Sequence, residues 1–440
     1  MDDLCFFIGR RPPVVAGGDS HWLLNARRTF RRVPLKHKLC HPGRGSCHPR
    51  LRLGARPPAD KKIINNEEHK SKYCLLKRVM LFSLLLLFIT FPTTAQTTFQ
   101  IGAHYGRMLE INPVWPDIQH NSRALELSIL KPTSGEKEWH GLYRYPEIGL
   151  SFLYIQPGNP DVFGQVITFS PVINFRLIEK GNFQLKTTVG YSLGWATRPF
   201  HRINNPDNNV VGAFLNSVNL FRLESVWYPS EKFSYHLGIS AFHLSNSRTR
   251  VPNLGINIPA LNLAIGYQKD NPSTEKKKPI ELPKGFGDLQ IGMRIGYGRN
   301  SSKTPGGPVY PSYLGAVYLN SIVQNRFRLK LGTEWFWTES QYAFIRNQVI
   351  PSEDPRRDAL GGVVFLGTEF LMGNIALIAH LGPYIKRPYL MDYLLYTKIG
   401  VQVYLYDQQE NPRFQPYLGA FVHAHSGEAD LAEFGVGFVF

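Results

Sequence analysis

The chain is 440 residues long, 43% hydrophobic and 13% aromatic, with a formal charge of +17. Residues 1–79 hold 18 Lys and Arg against 6 Asp and Glu, so +12 of that charge, and all four cysteines, precede the rest. Most of the excess charge and all of the cysteine thus lie in a leader, which argues against nucleic acid as a partner of the folded part and leaves neither a disulfide scaffold nor a thiol enzyme available there.

That leader, Met1 to Val79, is Arg-, Pro- and His-rich with little apolar periodicity, and reads as unstructured or as an over-extended start before Met80. The spacing of Cys5, Cys40, Cys47 and Cys74 matches no zinc finger. Residues 80–95, with a basic n-region from Lys77, form an apolar run too short to span a bilayer comfortably and end in the small residues Thr93-Thr94-Ala95. A cleaved export signal is expected.

From Thr97 onward short alternating runs rich in Tyr, Phe, Leu, Val and Gly are separated by Asn, Pro, Asp and Gly clusters. Eight strands are predicted in residues 96–268: Thr98–Leu109, Ala124–Leu130, Glu147–Ile155, Gln165–Ile178, Asn182–Ala196, Gly212–Trp227, Phe233–Ser245 and Asn257–Tyr267. An even number of antiparallel strands suits an outer-membrane β-barrel, because lipid leaves no place for an unpaired edge. The fold class is therefore all-β.

On the seventh strand, Tyr235, Leu237, Ile239, Ala241, His243 and Ser245 share one face, so an apolar stripe ends in an imidazole and a hydroxyl. The eighth repeats the pattern: Asn257 precedes Pro259, Leu261, Leu263, Ile265 and Tyr267. A lipid-facing strand would carry such polar residues where it meets the headgroups. His and Ser two apart can act as base and nucleophile, although a polar cap where the strand leaves the membrane has the same pattern.

The run His243-Leu-Ser245-Asn246, followed by Pro252-Asn253-x-Gly255-Ile, resembles the active-site region of the lipid A 3-O-deacylase (PagL-like) and acyloxyacyl hydrolase family of outer-membrane esterases. The resemblance implies an eight-stranded barrel that hydrolyses an acyl ester of lipid A in lipopolysaccharide, without a cofactor or metal. It implies His243 as base, Ser245 as nucleophile, and Asn253 with a backbone N–H near Arg248 as oxyanion donors. Asn257 stands where the family has Glu; its carbonyl can orient an imidazole but cannot offer full charge to an imidazolium.

With an N-terminus on the periplasmic side, His243, Ser245 and Asn257 come to the outer end. The loop carrying Arg198 and Arg202 emerges there too, and with Arg248 and Arg250 offers a basic rim for lipid phosphates. The same reading admits a homodimer.

Residues 269–285 are a charged, Pro-containing linker. Eight more strands are predicted in residues 286–440: Asp288–Tyr297, Ser312–Ile322, Arg326–Thr338, Gly361–Phe370, Ile375–Ile385, Leu394–Tyr406, Gln415–His425 and Ala432–Phe440, ending in Phe440. His423, His425 and Glu433 suit a metal or the polar filling of a lumen, and His425 with Ser426 imitates a second His–Ser pair. Two tandem eight-stranded barrels are expected, with one sixteen-stranded barrel as the alternative. The strand pattern points to apolar or glycine-packed lumens rather than a charged pore. The rival to an esterase is a barrel with a structural, binding or transport role.

Overall fold

Alternation with a period of two sends half of each strand's side chains to each face, and in a closed sheet those faces are the wall and the lumen. The computed structural model describes residues 97–110, 115–268, 285–347, 352–388, 393–407, 413–425 and 428–440. The leader, the export signal, most of the linker and Ser426 lie outside the described residues.

The first barrel runs β1 (Thr98–Gly106), β2 (Ser122–Pro132), β3 (Glu147–Gln156), β4 (Val166–Lys180), β5 (Phe183–Ala196), β6 (Leu215–Trp227), β7 (Phe233–Ser245) and β8 (Ile256–Gln268). Neighbours pair antiparallel, and β1 closes on β8 from Thr98↔Gln268 to Gly106↔Ala260. The second runs β9 (Gln290–Ser301), β10 (Val309–Val323), β11 (Phe327–Thr338), β12 (Leu360–Met372), β13 (Ile375–Lys386), β14 (Leu395–Tyr404), β15 (Gln415–His425) and β16 (Glu428–Val439). It closes where β16 meets β9. There are two barrels, each sealed on itself, and the sixteen-stranded alternative fails.

Outward positions are large, apolar and open: Leu237 is 59% exposed, Leu261 62% and Leu263 62%. Exposed rings gather near both ends, with Tyr105, Trp195, Tyr297 and Tyr313 towards the loops and Trp227, Tyr235, Tyr267 and Phe370 towards the short turns. This apolar band between aromatic girdles is the surface of a barrel in lipid.

The lumens correct the expectation of apolar or glycine packing. In the first, Arg222 Nη1 lies 2.5 Å from Glu126 and its Nε 3.1 Å from Glu224. His104 bridges Glu126 and Ser240 at 2.9 Å each, and Asn262 donates to Glu224 at 2.7 Å. In the second, Lys398 Nζ sits 2.9 Å from Glu334 and 2.5 Å from Glu433, and Arg294 pairs with both carboxylates. The inward charges are scattered among small and polar residues on several strands, as with Glu126 on β2 and Arg222 and Glu224 on β6. Closure brings them into contact, where they form mutually neutralising clusters.

At the turn end the barrels meet through the short helix Glu138–Leu142 between β2 and β3. Asn325 Nδ2 donates to Glu138 at 3.0 Å, and the Arg326 guanidinium bonds the Leu142 carbonyl and lies 5.5 Å over the Tyr143 ring. The Tyr143 hydroxyl donates to the Arg326 carbonyl at 3.1 Å. Burial pushes this phenol up to about 12 against the pull of Arg326, so it stays a donor.

Replacing Arg222 with Leu strands Glu126 and Glu224 without a strong cation. The urea midpoint of folded protein in lipid vesicles is expected to fall by the equivalent of about 3–5 kcal/mol, with little change in slope. A shift below about 1 kcal/mol would contradict a stabilising role for this network.

Candidate active site at the loop end of the first barrel

β7 and β8 pair so that His243 stands opposite Asn257, and β6 sets Asn219 on its other flank. The alternate residues Phe242, Leu244, Ile256 and Ile258 point inward into an apolar cluster with Met108, Phe163 and Val211. That cluster closes the loop end of the lumen and anchors the backbone beneath the site. His243 itself faces outward and is exposed.

The His243 ring is held by one bond, Nδ1 to Asn257 Oδ1 at 2.7 Å. A carbonyl oxygen only accepts, so Nδ1 carries the proton and Nε2 keeps its lone pair. Gly255 lies against the ring: a Cβ there would stand 3.3 Å from His243 Cε1, and its φ of +74° suits glycine independently.

Ser245 ends β7 and is only 6% exposed, because the 246–255 loop folds over it. Its hydroxyl donates to Asn253 Oδ1 at 3.2 Å and accepts from Asn253 Nδ2 and the Ser247 N–H at 3.1 Å each. His243 and Ser245 are adjacent on the strand but not hydrogen-bonded to each other. Asn253 therefore touches the hydroxyl itself, and its Oδ1 also accepts the Asn246 N–H at 2.9 Å.

The loop turns through Ser247 and Arg248, both left-handed with φ of 51° and 59°. The Asn246 carbonyl takes the N–H and hydroxyl of Thr249, and its side-chain oxygen takes the Arg250 N–H. Two donors near Ser245 remain unengaged among the described residues: the buried Asn246 Nδ2 and the Arg248 N–H.

The four arginines separate. Arg248 is paired with Asp430 at 2.5 Å and Arg202 bonds the Pro305 carbonyl at 3.1 and 3.3 Å, both on the second barrel. Arg198 lies 4.0 Å from Asp161 with its side chain half exposed, and Arg250 is exposed. The Arg198 loop owes its shape to Asn205 and Asn208, whose amides both cap the Arg198 carbonyl, at 2.9 and 2.7 Å.

Sequence reasoning missed Asn246, Asn219 and Ser217, whose hydroxyl caps the Ser245 carbonyl at 2.8 Å. Asn246 stands inside the motif, but its unpaired donor depends on the fold of the turn. The other two enter only through strand register.

In the second barrel His423 and His425 turn inward and are buried. His423 Nε2 lies 2.8 Å from Glu433 and 3.4 Å from Glu334, a grouping with metal-ligand geometry. Lys398 and Arg294 neutralise both carboxylates, so an added divalent cation would meet two fixed positive charges.

The family model for “Lipid A 3-O-deacylase (PagL)” matches residues 123–266, and that for “Acyloxyacyl hydrolase, C-terminal domain” matches 287–440. Among solved structures, the outer membrane enzyme PagL shares 13% identity over 38% of this chain and 97% of its own, with a TM-score of 0.27. A COG4313 outer membrane channel from Pseudomonas putida F1 shares 9% over 79% of this chain and 95% of its own, at 0.19. A BenF-like porin from Pseudomonas fluorescens Pf-5 shares 9% over 78% and 97%, at 0.20. No curated protein sequence matches the chain.

Histidine-selective 15N NMR of the folded protein, assigned with His243→Gln, tests the tautomer of the neutral ring. The expected spectrum has Nδ1 protonated and Nε2 bare, with Asn257→Leu moving His243 towards the other tautomer. Identical His243 shifts in both proteins would contradict the assignment.

Proposed function

We propose that this chain, whose first barrel belongs to the lipid A 3-O-deacylase (PagL) family, is an outer-membrane serine esterase that removes an ester-linked acyl chain from lipid A. The observation that carries this reading is the Nδ1-anchored His243, its free Nε2 facing lipid two residues from a hydroxyl among aligned donors. A substrate held in the outer leaflet would reach such a site by lateral diffusion.

In the proposed reaction Ser245 exchanges its bond to Asn253 for one to His243 Nε2, as catalytic hydrogen bonds often tighten only with substrate bound. Its Oγ attacks the ester carbonyl while Nε2 takes the proton. The tetrahedral oxyanion would be met by Asn246 Nδ2 and the Arg248 N–H, the two unengaged donors, while Asn253 holds the serine beforehand. Collapse breaks the bond to the sugar oxygen, which leaves with the proton from His243. Water, deprotonated by the same nitrogen, then frees the fatty acid from Ser245. Asn257 keeps the ring oriented but offers the imidazolium a dipole where a Glu would offer a charge. The exposed Arg250, and Arg198 with only its long, solvent-exposed contact to Asp161, are the side chains that would meet lipid phosphates.

A second reading, a structural or binding barrel that retains the motif without turnover, is favoured by the burial of Ser245 and by Asn257. Passage through either lumen is opposed by the paired charges that fill them.

Refolded protein in mixed micelles with lipid A decides between the two. Hydrolysis is expected to fall at least about 10³-fold in Ser245→Ala, and to rise about tenfold in Asn257→Glu if charge is what the site lacks. Equal turnover in wild type and Ser245→Ala, or none in wild type and Asn257→Glu, would overturn the esterase reading.

A further inference from the structure

The first barrel closes without help, so the second adds nothing to its wall. What it does supply is a set of bonds to the loop over Ser245. Asp430 on β16 accepts from Arg248 Nη1 at 2.5 Å, the Ser301 N–H caps the Arg248 carbonyl at 2.9 Å, and the Gly306 N–H reaches the Val251 carbonyl at 3.4 Å. These grips fall on the turn whose neighbouring amide, Ser247 N–H, touches the Ser245 hydroxyl.

Arg248 needs such a grip. It is a bulky residue in the left-handed region, where a Cβ is disfavoured, so its conformation must be imposed by its surroundings. Asp430 is itself held: its other oxygen lies 3.3 Å from His425 Nε2, and His425 Nδ1 bonds the Tyr384 hydroxyl. Tyr393 stacks on His425 at 5.2 Å and donates to Glu428 at 3.2 Å. With side chains 26% and 14% exposed, Arg248 and Asp430 form a partly desolvated, charge-assisted bond, stronger than a surface pair.

We propose that Asp430 of the second barrel is a positioning residue for acyl transfer on the first, fixing Arg248 so that the Arg248 N–H stands ready beside Ser245. This rests on the esterase reading of that site. The turn-end contacts of Arg326 and Tyr143 hold the barrels together independently, so loss of Asp430 releases the Arg248 side chain and loosens a turn still tied by Ser301 and Gly306, without parting the barrels.

The test compares full-length wild type, Asp430→Asn and Asp430→Glu, each confirmed folded by its heat-modifiable gel mobility. Two readouts are taken: the rate of tryptic cleavage after Arg248 and Arg250, and kcat and KM on lipid A in mixed micelles. Asp430→Asn is expected to speed cleavage about tenfold and lower kcat about tenfold while KM stays within about twofold, and Asp430→Glu to recover both. Unchanged cleavage in Asp430→Asn overturns the proposal whatever the activity, as does an unchanged kcat in an active enzyme. Wild type that turns over no lipid A, with a loop that opens in Asp430→Asn, overturns the esterase reading and upholds the fastening of the loop by Asp430.

Discussion

Lipid offers backbone amides no partner, and that absence organises this protein. Every strand must find two neighbours, so each set of eight closes on itself, β1 on β8 and β9 on β16. Closure then forces charged side chains at alternate positions into a confined lumen. Glu126 finds Arg222 and Glu334 finds Arg294 and Lys398, because each would be ruinously costly alone.

The candidate site sits where that constraint relaxes. At the loop end the wall no longer has to be apolar, so an imidazole can face outward, and the chain leaving β7 is free to bend through Ser247 and Arg248. Register does the assembling. It places Asn257 opposite His243 and Asn219 on its other side, while the inward residues of the same strands pack into the apolar cluster beneath. A rigid floor and a shaped loop are what a site of this kind requires.

Strand number was legible because it follows from local alternation, whereas the charged linker favoured two barrels without deciding against one of sixteen, and the partnership of His243 with Asn257 was suggested by the family resemblance rather than by spacing. The luminal networks were not legible. Glu126 and Arg222 are 96 residues apart and Arg248 and Asp430 are 182 apart, and hydropathy along one strand carries no trace of such partners. The direction of His423 was likewise ambiguous until pairing with β14 and β16 turned it inward. Asn253 was read as an oxyanion donor from its place in the motif, yet its carboxamide straddles the Ser245 hydroxyl, a detail set by how the loop closes.

The outward face of β7 is the proposed place of lipid A cleavage. Mass spectrometry of lipid A from cells expressing the chain, beside cells expressing Ser245→Ala at equal barrel levels, tests it most directly. Loss of one acyl mass is expected with the wild-type chain, and an intact spectrum with the variant. Identical spectra in the two strains would contradict it.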